Sequence, residues 1–172
     1  MKKKLLILIF LWMLVILWMG FIFSFSSETA SESSQTSGSF LEVIITFFNP
    51  DFETYSPEVK MAIIEQNSYF IRKTAHFCIY AFLGFLISNA FAYQRKAFFK
   101  PSVGKSAFFS VMLGGLYAVS DELHQSLVPG RSCELGDMAL DTCGVITGVI
   151  CSIVVVYLIQ KRRTFTAKQN QV

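Results

Sequence analysis

The sequence predicts an all-α integral membrane protein: four transmembrane helices, an outer amphipathic helix, and both termini in the cytoplasm. Three observations carry that prediction. Hydrophobic residues make up 53% of the chain and charged residues only 16%, and the mean hydropathy is +0.50. Four apolar runs, at about 5–23, 74–93, 104–126 and 138–160, are each near the length of about 20 helical residues needed to cross a hydrocarbon core about 30 Å thick. Charge is also segregated. With the N-terminus inside and four crossings, Lys2, Lys3, Lys4, Arg95, Lys96, Lys100, Lys105, Lys161, Arg162, Arg163 and Lys168 fall on the inner side. These are 11 of the 15 basic residues, whereas all 12 acidic residues fall on outer segments or outer ends of spans. That is the positive-inside pattern. Because these cations sit in short tails and one short loop, they are not a nucleic-acid patch. At 172 residues the chain reads as one domain, 1–172, with the lipid bilayer as its first partner.

The run 5–23 carries no charge and follows three lysines. It exceeds the roughly 7–15 apolar residues of a signal peptide and ends without a small-x-small cleavage site, so it reads as an uncleaved anchor. Residues 26–39 are a Ser/Thr/Glu tract too polar to bury a core, expected to be flexible on the outer side. The apolar piece at 40–48 is too short to span, stops at Asn49-Pro50, and suits the interface. Over 58–72, Val59, Ala62, Ile63, Tyr69 and Phe70 recur at mostly helical spacing, which predicts an outer amphipathic helix with Ser56 as N-cap and Pro57 at its first position. The next run is interrupted only by His76. A short inner loop with Pro101 follows. Val128-Pro129-Gly130 makes an outer turn, and the tail 161–172 is polar and expected to fray in the cytoplasm. Within the last span, Gly144 and Gly148 form a G-x-x-x-G packing face. Cys78, Cys143 and Cys151 lie in apolar runs and Cys133 in an outer loop, without zinc-site spacing, so all four read as unpaired.

Counting about 20 residues from each inner basic anchor locates the outer boundary. From Lys4 it falls at Ser24, from Arg95 near Ala75 and His76, from Lys105 at Gln125, and from Lys161 at Asp141. Asp121 and Glu122 then lie roughly one turn inside. Four spans therefore bring polar groups to one depth, and ionisable groups there are costly enough to suggest a site. The candidate set is Arg72, Lys73, His76, Tyr80, Asp121, Glu122, His124, Gln125, Arg131, Asp137 and Asp141. Arg72, His76 and Tyr80 follow one another at i,i+4, as do Asp121 with Gln125 and Asp137 with Asp141. Glu122 and Gln125 are i,i+3, and His124 is a possible partner for Asp121. The bland alternative is an ion-pair network fixing helix packing, in which Arg131 or Arg72 neutralises Asp137 and Asp141, and His76 merely hydrogen-bonds a neighbouring span. A divalent metal held by His76, His124, Asp137 and Asp141 is compatible with the residue types, although no spacing requires one.

Three stretches, FSFSS (23–27), RKTAHFCIYAFLG (72–84) and DELHQSLVPGRSCELGDMALDTCGVITG (121–148), resemble the VanZ-like membrane protein family, named for an accessory protein of glycopeptide (teicoplanin) resistance. The shared pattern is K-x-x-H-F-x-x-Y, then D-E-x-H-Q-x-x-x-P-G-R, then D-x-x-x-D-x-x-G. Members often carry Glu before the tyrosine, where this chain has Ile79, and Gln after the FS-S signature, where it has Glu28. The resemblance implies a multi-pass protein of the bacterial cell membrane that alters susceptibility to envelope-directed lipoglycopeptides. It does not supply a biochemical activity. Three readings follow. One is an outer pocket binding a lipid-linked envelope component or lipoglycopeptide, with Arg72, Lys73 and Arg131 meeting its anion. Another is a membrane hydrolase or transferase on a lipid-linked substrate, with Glu122 or His124 as general base and Arg131 stabilising the developing anion. The last is a structural partner of wall-synthesis proteins.

Overall fold

A computed structural model describes residues 1–99 and 102–169. Lys100 of the inner basic set and the last three residues of the expected tail lie outside the described residues. Five α-helices make up the fold: α1 (Lys2–Ser26), α2 (Ala30–Phe48), α3 (Pro57–Gln94), α4 (Val103–Gln125) and α5 (Leu135–Gln169), with a 3-10 turn at Pro50–Thr54 and a π-helical turn at Arg95–Phe99. Among the described residues, α1, α3, α4 and α5 contain the segments long and apolar enough to cross a membrane.

α3 is the central element, and it packs on every other helix. Its contact with α5 is the closest, because the glycine face expected on the last span meets α3 backbone directly. A Cβ on Gly144 would lie 2.6 Å from the Phe77 carbonyl, and one on Gly148 would collide with the carbonyl of Ala81. Only glycine permits that approach, and close packing is what holds membrane helices together where no hydrophobic force acts between them. Around it Val15, Ile22, Tyr80, Leu83, Ile87, Ala118, Val145 and Val149 form the core. Trp12 meets Phe91 edge-on at 5.1 Å, and the Trp18 indole donates to the Ile79 carbonyl at 2.9 Å, which fixes α1 antiparallel to α3.

The structure corrects three of the expected boundaries. Residues 26–39 are not a flexible tract. Ser26 ends α1, and from Ala30 onward the tract runs with the apolar piece that follows into α2, a single helix. Its start is a capping box: the Thr29 hydroxyl accepts from Glu32 N at 3.3 Å, and Glu32 Oε2 accepts from Thr29 N at 2.8 Å. Ser33, Gly38 and Leu41 are then buried, so packing on α3 outweighs the poor intrinsic propensity of the serines. The amphipathic stretch 58–72 and the span 74–93 are one helix, since no Gly or Pro interrupts the chain between Pro57 and Phe82. At 38 residues, or about 57 Å, α3 is longer than a bilayer core and projects beyond it. Likewise the 161–172 tail does not fray at once, because α5 continues to Gln169. Ser56 and Pro57 do occupy the expected N-cap and first positions.

Candidate functional site

Of the candidate residues, Tyr80 and Gln125 meet at Asp121. It is 2% exposed. Its Oδ2 accepts from the Ser26 hydroxyl at 2.6 Å, the Tyr80 hydroxyl at 2.8 Å and the Gln125 amide at 3.3 Å. Gln125 also donates to Ser26 Oγ at 3.2 Å. These donors come from the end of α1, the middle of α3 and the last turn of α4. One carboxylate oxygen thus pins three spans, a charge-assisted arrangement that requires Ser26, Tyr80 and Gln125 to lie at one level.

A second layer lies against α5. Lys73 pairs with Asp137 and lies 3.5 Å from Glu134. Neither Arg131 nor Arg72 neutralises Asp137, because Lys73 comes down the same face of α3 one turn before His76 and reaches it first. The side chain facing Asp141 is His76, with Nδ1 at 3.9 Å from Oδ2, beyond hydrogen-bond length. Asp141 is fully buried and Glu122 is 1% exposed. Glu122 Oε2 accepts from Glu134 N at 3.2 Å. Glu122 Oε1, Asp121 Oδ1 and both oxygens of Asp141 have no partner among the described residues. Carboxylate oxygens left open at this depth are expensive, so the cluster has unused acceptor capacity.

His76 also faces outward. With Arg72, Glu28, Phe21, Phe25, Phe40 and Ile79 it lines a cavity of about 300 Å³ between α1, α2 and α3. The wall is mostly apolar, with polar side chains contributed by Glu28, by Ser33, Thr36 and Ser37 of α2, and by Arg72 and His76 of α3, a composition that suits a small amphiphile. Arg131, in the turn before α5, donates to the Glu28 carbonyl at 3.4 Å. Burial and then the neighbouring charge of Arg72 push its pKa below the usual guanidinium range. The neighbouring carboxylates of Glu122, Asp121 and Glu28 act in the opposite direction and offset this in part. The turn that positions Arg131 depends on Gly130, whose φ of 76° suits glycine.

His124 is not among these groups. It is not the partner of Asp121: its ring stacks on Phe23 at 4.4 Å and its Nε2 meets the Ser27 hydroxyl at 3.2 Å. On α4 it therefore points toward α1, away from the face that carries Asp121 and Gln125. That geometry also removes it from the metal set suggested with His76, Asp137 and Asp141. Among the described residues no group of three His, Cys, Asp or Glu side chains converges as metal ligands would. Sequence reasoning missed Ser26, Glu28 and Glu134. Ser26 sits inside the FSFSS stretch, two residues past the boundary counted from Lys4, and that stretch was its only signal.

The VanZ/LLP1 family model matches residues 10–158, which takes in all four spans and every residue of the cluster. No curated protein and no solved structure matches the chain.

Proposed function

The chain belongs to the VanZ/LLP1 family, and from that premise we propose that it binds an anionic amphiphile of the bacterial envelope. The ligand is a lipid-linked component or a lipoglycopeptide, and binding it lowers susceptibility to envelope-directed lipoglycopeptides. The acidic end of the bundle faces the outside in this reading, as the positive-inside pattern requires. The acyl chain lies among Phe21, Phe25, Phe40 and Ile79, and the anion meets Arg72 and Arg131. The observation that carries the reading is the placement of Arg72 and His76 in the wall of a mostly apolar cavity, with the half-buried guanidinium of Arg131 close enough to Arg72 to feel its charge.

A built-in reporter tests it. Trp18 stacks on Phe21 at 4.8 Å and donates to the Ile79 carbonyl, and both of those residues line the cavity. In a Trp12→Phe background, a brominated acyl phosphate should quench Trp18 saturably, and Arg72→Gln should weaken that binding about tenfold. Quenching that never saturates, and is the same in both proteins, would remove the reading.

A second reading rests on the pair His76 and Asp141. A histidine on the cavity wall, backed at 3.9 Å by a buried carboxylate, has the elements of a general base oriented by an acid, and such contacts often tighten only with substrate. A membrane hydrolase or transferase acting on the same amphiphile would use His76 in this role, in place of Glu122 or His124. Release of a chemically altered lipid is the outcome that separates it from binding alone.

A further inference from the structure

At the end of the bundle where α1 begins, α3, α4 and α5 part around another cavity, of about 150 Å³, whose wall includes Arg95, Ser106 and Ser152. Each of the three offers a buried polar atom with no hydrogen-bond partner among the described residues: Arg95 Nε, Ser106 Oγ and Ser152 Oγ. Ser152 is 1% exposed and Ser106 8%. Hydroxyls inside membrane helices normally return to a carbonyl one turn back. Ser110 does so to the Ser106 carbonyl at 2.8 Å, and Thr147 to the Cys143 carbonyl at 2.9 Å. Ser106 and Ser152 do not, so their hydroxyls stay available to whatever fills the space.

Charge at this end is of one sign. The acidic residues of the chain all lie within 28–65 and 121–141, and none reaches this cavity. Arg95 borders both the cavity and an adjoining recess of about 590 Å³, which Lys96 and Arg163 also line. Arg95 opens the π-helical turn Arg95–Phe99, an irregularity enriched at functional sites. Leu11 and Ile159 complete the recess. Ile159 is exposed on a span that lipid surrounds, so the recess opens toward the bilayer.

We propose that cavity and recess form a second binding site, one that takes the phosphate group of an anionic phospholipid. Arg95 engages the phosphate by its planar fork, which matches phosphate oxygens better than a point charge does. Ser106 and Ser152 donate to the remaining oxygens, and the acyl chains leave along Ile159. The chemistry would equally accept free inorganic phosphate; the opening onto lipid favours the phospholipid.

The test uses the full chain in an uncharged detergent, with phosphatidylglycerol, diacylglycerol and inorganic phosphate as probes, read by native mass spectrometry and thermal unfolding. Phosphatidylglycerol should be retained and should raise Tm, while diacylglycerol should do neither. Arg95→Gln should weaken retention about tenfold. Lys3→Gln removes the same charge at the same end outside the cavity and should leave retention unchanged. Ser152→Ala separates a ligand-facing hydroxyl from a structural one: the lipid-free protein should unfold at a higher temperature, and the lipid-induced rise in Tm should shrink. A merely structural serine gives a lower Tm and an unchanged lipid effect. If inorganic phosphate reproduces the stabilisation, the site takes phosphate from solution; if only phosphatidylglycerol does, the lipid is the source. Equal losses in Arg95→Gln and Lys3→Gln, or equal retention of diacylglycerol, would overturn the proposal.

Discussion

At the acidic end of the bundle, Asp121 gathers donors from three spans onto one oxygen. At the opposite end, Arg95 Nε, Ser106 Oγ and Ser152 Oγ have no hydrogen-bond partner among the described residues. The same helices build both ends, and both bury polar groups, so burial alone does not distinguish glue from site. Partnering does. Asp121 Oδ2 is spent on helix packing, whereas Asp141, one layer away, has both oxygens open and faces a histidine that also touches the apolar cavity. The acidic end therefore holds partnered and open carboxylate oxygens side by side, and the opposite end holds polar atoms that packing among the described residues does not use.

The most decisive way to break the comparison is to show that the two ends are on the wrong sides. Cys133 is exposed in the segment between α4 and α5. In intact cells a membrane-impermeant maleimide should label it essentially completely, and should fail to label a cysteine placed at Lys3. The reverse pattern would invert the bundle and take the cavity with Arg72 away from the envelope.

Next in size is Asp121. Asp121→Ala strands the Ser26, Tyr80 and Gln125 donors and should cost about 2–3 kcal/mol of stability, measured by thermal unfolding in micelles. Asp121→Asn keeps an acceptor in place and should cost about half of that. If Asp121→Ala unfolds like the wild type, the hub is not structural. Smaller again, Tyr80→Phe and Ser26→Ala each remove one donor and should each cost about 1 kcal/mol. Their combined loss should fall short of the sum, because both donate to one oxygen.

The smallest effect concerns α2. The bonds from the Thr29 backbone and then its side chain hold the Glu32 pKa below the usual carboxylate range. A depressed carboxylate stabilises the folded form above its unfolded pKa, about 4.3, and that contribution is lost as pH falls through the lower folded value. Hydrogen exchange at the first turn of α2 should therefore quicken, relative to intrinsic rates, only below about pH 4. No change in protection down to pH 2 would mean that the capping box contributes nothing.

The spans were legible because lipid imposes a length and a hydropathy that no other environment does, and helical rise alone put His76, Gln125 and Asp141 at one expected depth with Asp121 about one turn inside. What depth could not supply was azimuth. His124 lies within four residues of both Asp121 and Gln125, yet it points to Phe23 and Ser27, and only packing decides that. Lys73 reaching Asp137 ahead of either arginine is the same kind of fact. The helix α2 was hidden for another reason: composition argued for a flexible tract, although Thr29 and Glu32 already stood at capping-box spacing. Local chemistry there predicted better than overall polarity.

The claim that the outer cluster works through His76 and its cavity is tested most directly by susceptibility to an acylated glycopeptide. Cells would make wild type, His76→Ala or His124→Ala at matched membrane levels. The account predicts that wild type and His124→Ala protect and His76→Ala does not. Protection by His76→Ala equal to wild type, or its loss in His124→Ala alone, would contradict it.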